Sequence, residues 1–104
     1  PDVYVVHQGD AASRMAPRVA EGLRDQGIDV LFHCGGGGFK SQMKKADASG
    51  ATFASIIGDD EANAGEVTLK PLRSKGEAQY EQKRISVDQL ADEIMNSFLD
   101  WEEE

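Results

Sequence analysis

The chain has one cysteine and no long run of apolar residues. With Cys34 alone among 104 residues, no internal disulfide can form. No stretch approaches the roughly 18 apolar residues of a membrane-spanning helix. The N-terminal residues PDVYVV also lack the basic region of a signal peptide. These absences argue against a disulfide scaffold and a membrane protein, and we expect a soluble, cytoplasmic protein.

Catalytic and metal-binding constellations are also missing. His33 precedes Cys34, but no further ligands accompany this pair to complete a set of four, so both residues are predicted to be structural. The run Asp59, Asp60 and Glu61 is typical of a solvated turn rather than of a general acid and base. We therefore expect no catalytic residue, no metal and no cofactor in this chain.

Basic residues are absent from the C-terminal part. The net charge is −8, and residues 86–104 hold seven acids and no base. All 11 Lys and Arg therefore lie in residues 1–85, against 12 acids. A nucleic-acid surface needs Lys and Arg for phosphate contacts, so it would have to lie in this first part. Charge scattered over a solvated surface is the alternative.

Apolar patterns predict five strands. β-branched and apolar runs at residues 3–6, 28–32 and 51–58 predict three of them, joined by helices and therefore parallel. A polar turn follows Gly58. Two further segments, GEVTLKPLR and SKGEAQYEQKRI, predict an edge hairpin turning at residues 74–76, where Pro71 fits an edge strand better than an interior one.

Apolar residues at spacings of three and four predict three helices. The first follows Asp10, a candidate N-cap, and Pro17 should either distort its first turns or delay its regular part to about Pro17 itself. The second spans residues 39–48, with Phe39 facing the sheet. The third begins at a capping box of Ser86 and Gln89 and has one continuous apolar face, formed by Val87, Leu90, Ala91, Ile94, Met95 and Phe98.

These elements predict one domain over residues 1–99 and a frayed acidic tail over residues 100–104. The predicted fold is a three-layer α/β/α domain with a mixed five-stranded sheet and three helices.

Four consecutive glycines, residues 35–38, precede the second helix. Glycine costs backbone entropy on folding, so such a run is expected where the chain turns tightly or approaches another group. The N–H groups at the start of the helix attract anions, and Lys40, Lys44 and Lys45 add positive charge. The segment predicts a surface that tolerates phosphate or nucleic acid. A tight turn alone is the alternative.

The ordered motifs GGGGFKSQMKKADASGATFASIIGDDE, GEVTLKPLR and ISVDQLADEI resemble the anticodon-binding domain of histidyl-tRNA synthetases over residues 3–97. The resemblance implies a C-terminal domain that recognises the anticodon loop of histidine tRNA. ATP-dependent aminoacylation, with ATP and Mg, would belong to a catalytic domain of the parent chain, for which 104 residues leave no room. The resemblance further implies a homodimer formed through the parent, and neither DNA nor a membrane as partner.

The resemblance also implies roles for individual residues. Glu61 would accept hydrogen bonds from bases, and Lys70 would contact a base or phosphate. Lys70 stands where threonyl relatives carry arginine, and lysine cannot form the fork that arginine makes to guanine. The whole predicted tRNA-binding set comprises Gly36, Gly37, Gly38, Phe39, Lys40, Gln42, Lys44, Lys45, Glu61, Lys70 and Arg73.

Purely structural roles stay open for several of these residues. Glu61 could pair with Lys70 or cap its turn, Gln42 could be a surface residue, and Phe39 is predicted mainly as a core residue. Two other functions also stay open. One is a synthetase-like paralogue used for protein or regulatory contacts, which the acidic last helix favours. The other is a small-nucleotide module at the glycine turn, although the P-loop and dinucleotide motifs are absent.

Overall fold

The computed structural model describes residues 1–34, 36–73 and 81–102, with side chains up to residue 98. A five-stranded sheet has the order β2-β1-β3-β4-β5. β1 is parallel to β2 and β3, whereas β4 is antiparallel to β3 and β5. The strands are β1 Val3–Gln8, β2 Val30–Phe32, β3 Phe53–Gly58, β4 Glu66–Pro71 and β5 Lys83–Ser86, and the helices are α1 Asp10–Asp25, α2 Phe39–Ala48, α3 Asp59–Ala64 and α4 Val87–Glu102. The predicted mixed α/β sheet is confirmed.

Three layers form because alternate strand residues face opposite sides of the sheet. Val3 and Val5 belong to the larger core cluster, beneath α1 and α4. Tyr4 and Val6 belong to the smaller cluster, where α2 contributes Ala46. The face under α1 and α4 is called the two-helix face, and the opposite face is called the α2 face.

The count of three helices was wrong, since the predicted polar turn at residues 59–64 is helix α3. Three acids in its first turn complement the helix dipole, and Glu61 accepts a hydrogen bond from the N–H of Gly58 at 3.0 Å. Gly65 ends the helix at φ 70°. None of its residues is buried, so no apolar periodicity marks it in the sequence.

α1 begins at Asp10, so of the two predicted effects of Pro17 the delayed start was wrong. Gly9, rather than Asp10, is the N-cap residue. The cap comes from α3, because the Asp59 carboxylate accepts the N–H of Ala12 at 3.1 Å. Pro17 lies inside the helix and leaves one carbonyl of the preceding turn without its usual donor.

The predicted hairpin exists, with β5 as its edge strand and β4 in the interior. Pro71 is tolerated there because its nitrogen points away from β3: the next residue, Leu72, is the one that donates to Thr52. On the other side, pairing with β5 ends at Leu69. The predicted turn at residues 74–76 lies outside the described residues.

Ser86 caps α4, but its hydroxyl accepts the N–H of Asp88 at 3.2 Å rather than that of Gln89, as the predicted capping box would have it. Leu90 and Ile94 are buried as predicted, whereas Met95 is 43% exposed. The helix continues to Glu102, so the frayed tail predicted from Asp100 is helical over its first three residues. No helix in the described part of the chain is long and apolar enough to cross a membrane.

Candidate nucleic-acid interface

The buried side chain of His33 contacts the glycine turn, residues 36–38, from the core side. His33 is 1% exposed, and its Nε2 lies 2.5 Å from the carbonyl oxygen of Gly36. That carbonyl can only accept, so in the neutral imidazole Nε2 carries the proton and Nδ1 accepts from the Tyr4 hydroxyl at 2.8 Å. Burial raises the pKa of Tyr4, with a further upward contribution from Cys34, which is consistent with the Tyr4 hydroxyl as the donor.

Gln42 holds the same turn from the helix side. It is 1% exposed, which rules out the surface role left open for it. Its Oε1 accepts the N–H of His7 at 2.9 Å, and its Nε2 donates to the carbonyls of His7 at 2.7 Å and Gly37 at 3.0 Å. Gln42 therefore joins the end of β1 to the turn, and its amide atoms are engaged with the backbone.

Together these two side chains fix which way the turn's peptide groups point. The carbonyls of Gly36 and Gly37 face inward, toward His33 and Gln42. In a trans peptide the following N–H points the opposite way, so the N–H groups of Gly37 and Gly38 face outward. Positive φ angles of 70° at Gly36 and 92° at Gly37 explain why glycine occupies these positions.

The lysines of α2 divide between its two sides. Met43 and Ile56 of β3 both pack against the smaller core cluster, and the carbonyl of Asp47 accepts from Arg73, which follows β4. Lys40 and Lys44 are helical neighbours of Met43 and Asp47, so they border the β3 and β4 side. Lys45 points away from that side. The predicted set of three lysines is thus split into two and one.

Phe39 is 45% exposed, so its prediction as a core residue was wrong. It does share the sheet-facing stripe with Met43. However, Gln42 contacts His7, which is the last residue but one of β1. Phe39 lies almost one helical turn before Gln42 and therefore beyond the end of the strand. Phe39 is left as an exposed aromatic beside the outward N–H groups of the turn.

Among the described residues, no helix covers the part of the α2 face formed by β4 and β5, which is called the open face. α2 packs on β1, and neighbouring β3 and β4 present Ile56, Thr68 and Lys70, each only half-buried. The register places Thr68 beside Ile56 and Lys70 beside Ala54, on the face that α2 borders. Val67 and Leu69 point to the other face and are fully buried. On this face β3 is therefore apolar, at Ala54 and Ile56, and the polar side chains begin on β4, at Thr68 and Lys70.

Glu61 lies at the border of this surface, next to Thr68. One carboxylate oxygen accepts from the Gly58 N–H, and the other accepts from the Thr68 hydroxyl at 2.5 Å. Glu61 is therefore a cap of α3, as one alternative held, and no ion pair joins it to Lys70 within the described residues. A carboxylate has about four lone-pair positions, so two remain for another donor.

Arg73 lies at the far end of the site. Its Nη2 donates to the carbonyl of Asp47 at 2.9 Å, near the C-terminus of α2. The ten residues of α2 separate it from the glycine turn by about 15 Å. Arg73 thus borders the open face. It binds a carbonyl at the C-terminal end of α2 and lies far from the glycine turn.

Sequence reasoning missed Arg84 as a member of this surface. It pairs with Thr68 across β4 and β5, so it lies on the same face. The sequence did contain a signal for it. Successive strand residues face opposite sides of a sheet, so Arg84 and Lys83 had to lie on different faces of β5. Among the described residues, no group of three His, Cys, Asp or Glu side chains could hold a metal ion.

Known proteins resemble this chain over nearly its whole length. A family model described as "Anticodon binding domain" matches residues 2–97. The histidine–tRNA ligase of Dechloromonas aromatica is 67% identical over all 104 residues, which cover 24% of that relative. The corresponding ligase of Aromatoleum aromaticum is 58% identical over the whole chain, which covers 23% of it. The chain thus spans about a quarter of the length of these relatives.

The fold has a counterpart among solved structures. The histidyl-tRNA synthetase from Nostoc sp. PCC 7120 superposes on 94% of this chain with a TM-score of 0.79 and 31% sequence identity. The match uses 23% of that synthetase chain.

Proposed function

Because the chain belongs to the anticodon binding domain family and is similar throughout to histidine–tRNA ligases, we propose that its open α2 face binds the anticodon loop of histidine tRNA. The observation that supports this proposal is that Thr68 and Lys70 lie on the α2 face, with Glu61 hydrogen-bonded to Thr68. The helical period adds the exposed Lys40 and Lys44 on the neighbouring side of α2. Loops of RNA are bound by lysine and arginine at phosphates and by polar groups at splayed bases.

The residues divide by task. The outward N–H groups of Gly37 and Gly38, with Lys40 and Lys44, suit phosphates. Phe39 suits stacking on a base, because every base has an aromatic face. Gln42 serves by orienting the turn from below, and Lys45 stays outside the interface. Glu61 and Lys70 bind bases or the adjoining phosphate, and Arg73 marks the lower border.

The parent protein belongs to the same proposal. A catalytic domain outside this chain would use ATP and Mg to charge histidine tRNA, as the names of the relatives suggest. A homodimer formed through that domain and a cytoplasmic location complete the proposal. This domain itself would supply recognition and bind no cofactor.

Lys44→Glu tests the binding face. The substitution replaces a phosphate contact by a repulsion, so we expect affinity for a histidine anticodon stem-loop to fall about tenfold near 100 mM salt. Affinity for a stem-loop with a changed anticodon should fall equally, because phosphates carry no sequence. Fluorescence anisotropy over a salt series measures both affinities and the salt slope.

Lys45→Glu is the matched control, with the same charge change one residue away on the other side of α2. It should weaken binding by less than about threefold, through long-range charge alone. Equal losses for both variants would mean that α2 contributes only general charge. No loss for Lys44→Glu would remove α2 from the interface.

A further inference from the structure

Arg84 is held in a defined orientation at the upper rim of the open face. Its Nε donates to Oε1 of Glu66 at 2.7 Å, and its Nη2 approaches the carbonyl oxygen of Asp60 at 3.4 Å. Its side chain is still 46% exposed. Within the described residues Nη1 makes no contact, so the Nη1 and Nη2 end of the guanidinium can still donate as a fork.

Arg84 also lies next to Glu61. Thr68 is the cross-strand partner of Arg84, and the same Thr68 donates to the Glu61 carboxylate. Asp60, whose carbonyl faces Arg84, immediately precedes Glu61. The rim therefore offers a forked donor beside a carboxylate acceptor.

Guanine fits this pair of groups. It has acceptors at O6 and N7 and donors at N1 and N2, so arginine can fork to the first pair while a carboxylate accepts from the second. Adenine presents an amino donor in place of O6 and would oppose the arginine. Histidine codons begin with cytosine, so the anticodon that pairs with them ends in guanine.

Building on the proposed function, we propose that Arg84 is a specificity-determining residue that selects an anticodon guanine beside Glu61. Lys70 cannot form a fork, and Arg84 supplies one on the neighbouring strand of the same face. Glu66 acts as a positioning residue, because its carboxylate holds the Nε side and leaves the other end of the guanidinium free.

The test compares stem-loops of histidine tRNA with versions in which each anticodon guanine is replaced by adenine. For the unsubstituted chain we expect at least one replacement to weaken binding about tenfold or more, as for a forked arginine contact. Arg84→Lys keeps the charge and loses the fork, so this ratio should fall below about threefold. Affinity for the adenine loop should stay nearly unchanged, and thermal melting checks that the variant is folded.

Lys83→Ala is the control. Lys83 lies on the same strand but points to the two-helix face, where its Nζ is 2.6 Å from Glu93 of α4. This variant loses an ion pair and a charge, and it should keep the full guanine preference.

Each result is decisive. An unchanged ratio in Arg84→Lys, or equal weakening of both loops, overturns the assignment of Arg84 while leaving anticodon binding in place. Binding without any guanine preference in the unsubstituted chain also overturns it. If no stem-loop binds at low salt, the proposed function fails as well.

Discussion

Gln42→Met is expected to lower the free energy of unfolding by about 3 kcal/mol. Methionine has nearly the volume of glutamine, so the substitution leaves the packing and removes three hydrogen bonds. The N–H and carbonyl of His7 and the carbonyl of Gly37 then lose their partners next to a side chain that is 1% exposed. Each unsatisfied buried group costs roughly 1–3 kcal/mol, and partial access to water reduces the sum. Urea unfolding followed by circular dichroism measures the change.

Lys45→Met provides the comparison, since it places the same side chain at an exposed position of the same helix. Its effect should stay within about 0.5 kcal/mol. A loss below about 1 kcal/mol for Gln42→Met would mean that water or a shifted turn replaces the glutamine, and that Gln42 does not hold the turn.

Gly9→Ala is expected to cost about 3 kcal/mol for two separate reasons. Gly9 has φ 112° and ψ 163°, a region that only glycine occupies readily. An added Cβ would also lie 2.2 Å from Oδ1 of Asp59, so the carboxylate would have to move and release the N–H of Ala12. Thermal and urea unfolding should both show the loss.

Two variants separate these reasons. Asp59→Ala alone should cost about 1 kcal/mol as the loss of a cap, and in its background Gly9→Ala should cost only the backbone strain. Gly22→Ala should change stability in the other direction, by about 0.5–1 kcal/mol, because Gly22 is helical and its added Cβ would meet nothing within 4 Å. Simple additivity of Gly9→Ala and Asp59→Ala would contradict the close contact between them.

The sheet could be predicted because its residues follow local rules. Val67 and Leu69 alternate with Thr68 and Lys70 in the sequence. In the structure the first two side chains are buried and the other two are partly exposed, as the alternation predicts. The Ser86 cap is likewise a local contact, to the N–H of Asp88 two residues later. Such features need no knowledge of the rest of the fold.

The parts that could not be predicted depend on distant partners. Asp59 caps α1 from 47 residues away, so the sequence near Asp10 does not show that this carboxylate, rather than Asp10, supplies the cap. Gln42 is buried because the fold brings the backbone of His7 to it, a contact between residues 35 apart. Phe39 is exposed because the first turn of α2 extends beyond the end of strand β1. The polar face of Thr68 and Arg84 emerges only when β4 and β5 pair.

Mapping the RNA contact by ¹⁵N NMR tests the central claim most directly. The labelled chain is titrated with the histidine anticodon stem-loop, and the amide shifts are compared between the two faces of the sheet. We predict that the largest shifts fall on the open α2 face and its borders, at Gly37, Gly38, Lys40, Lys44, Glu61, Thr68 and Lys70. Shifts concentrated on α1 and α4, with none along β4 or at the start of α2, would contradict the account.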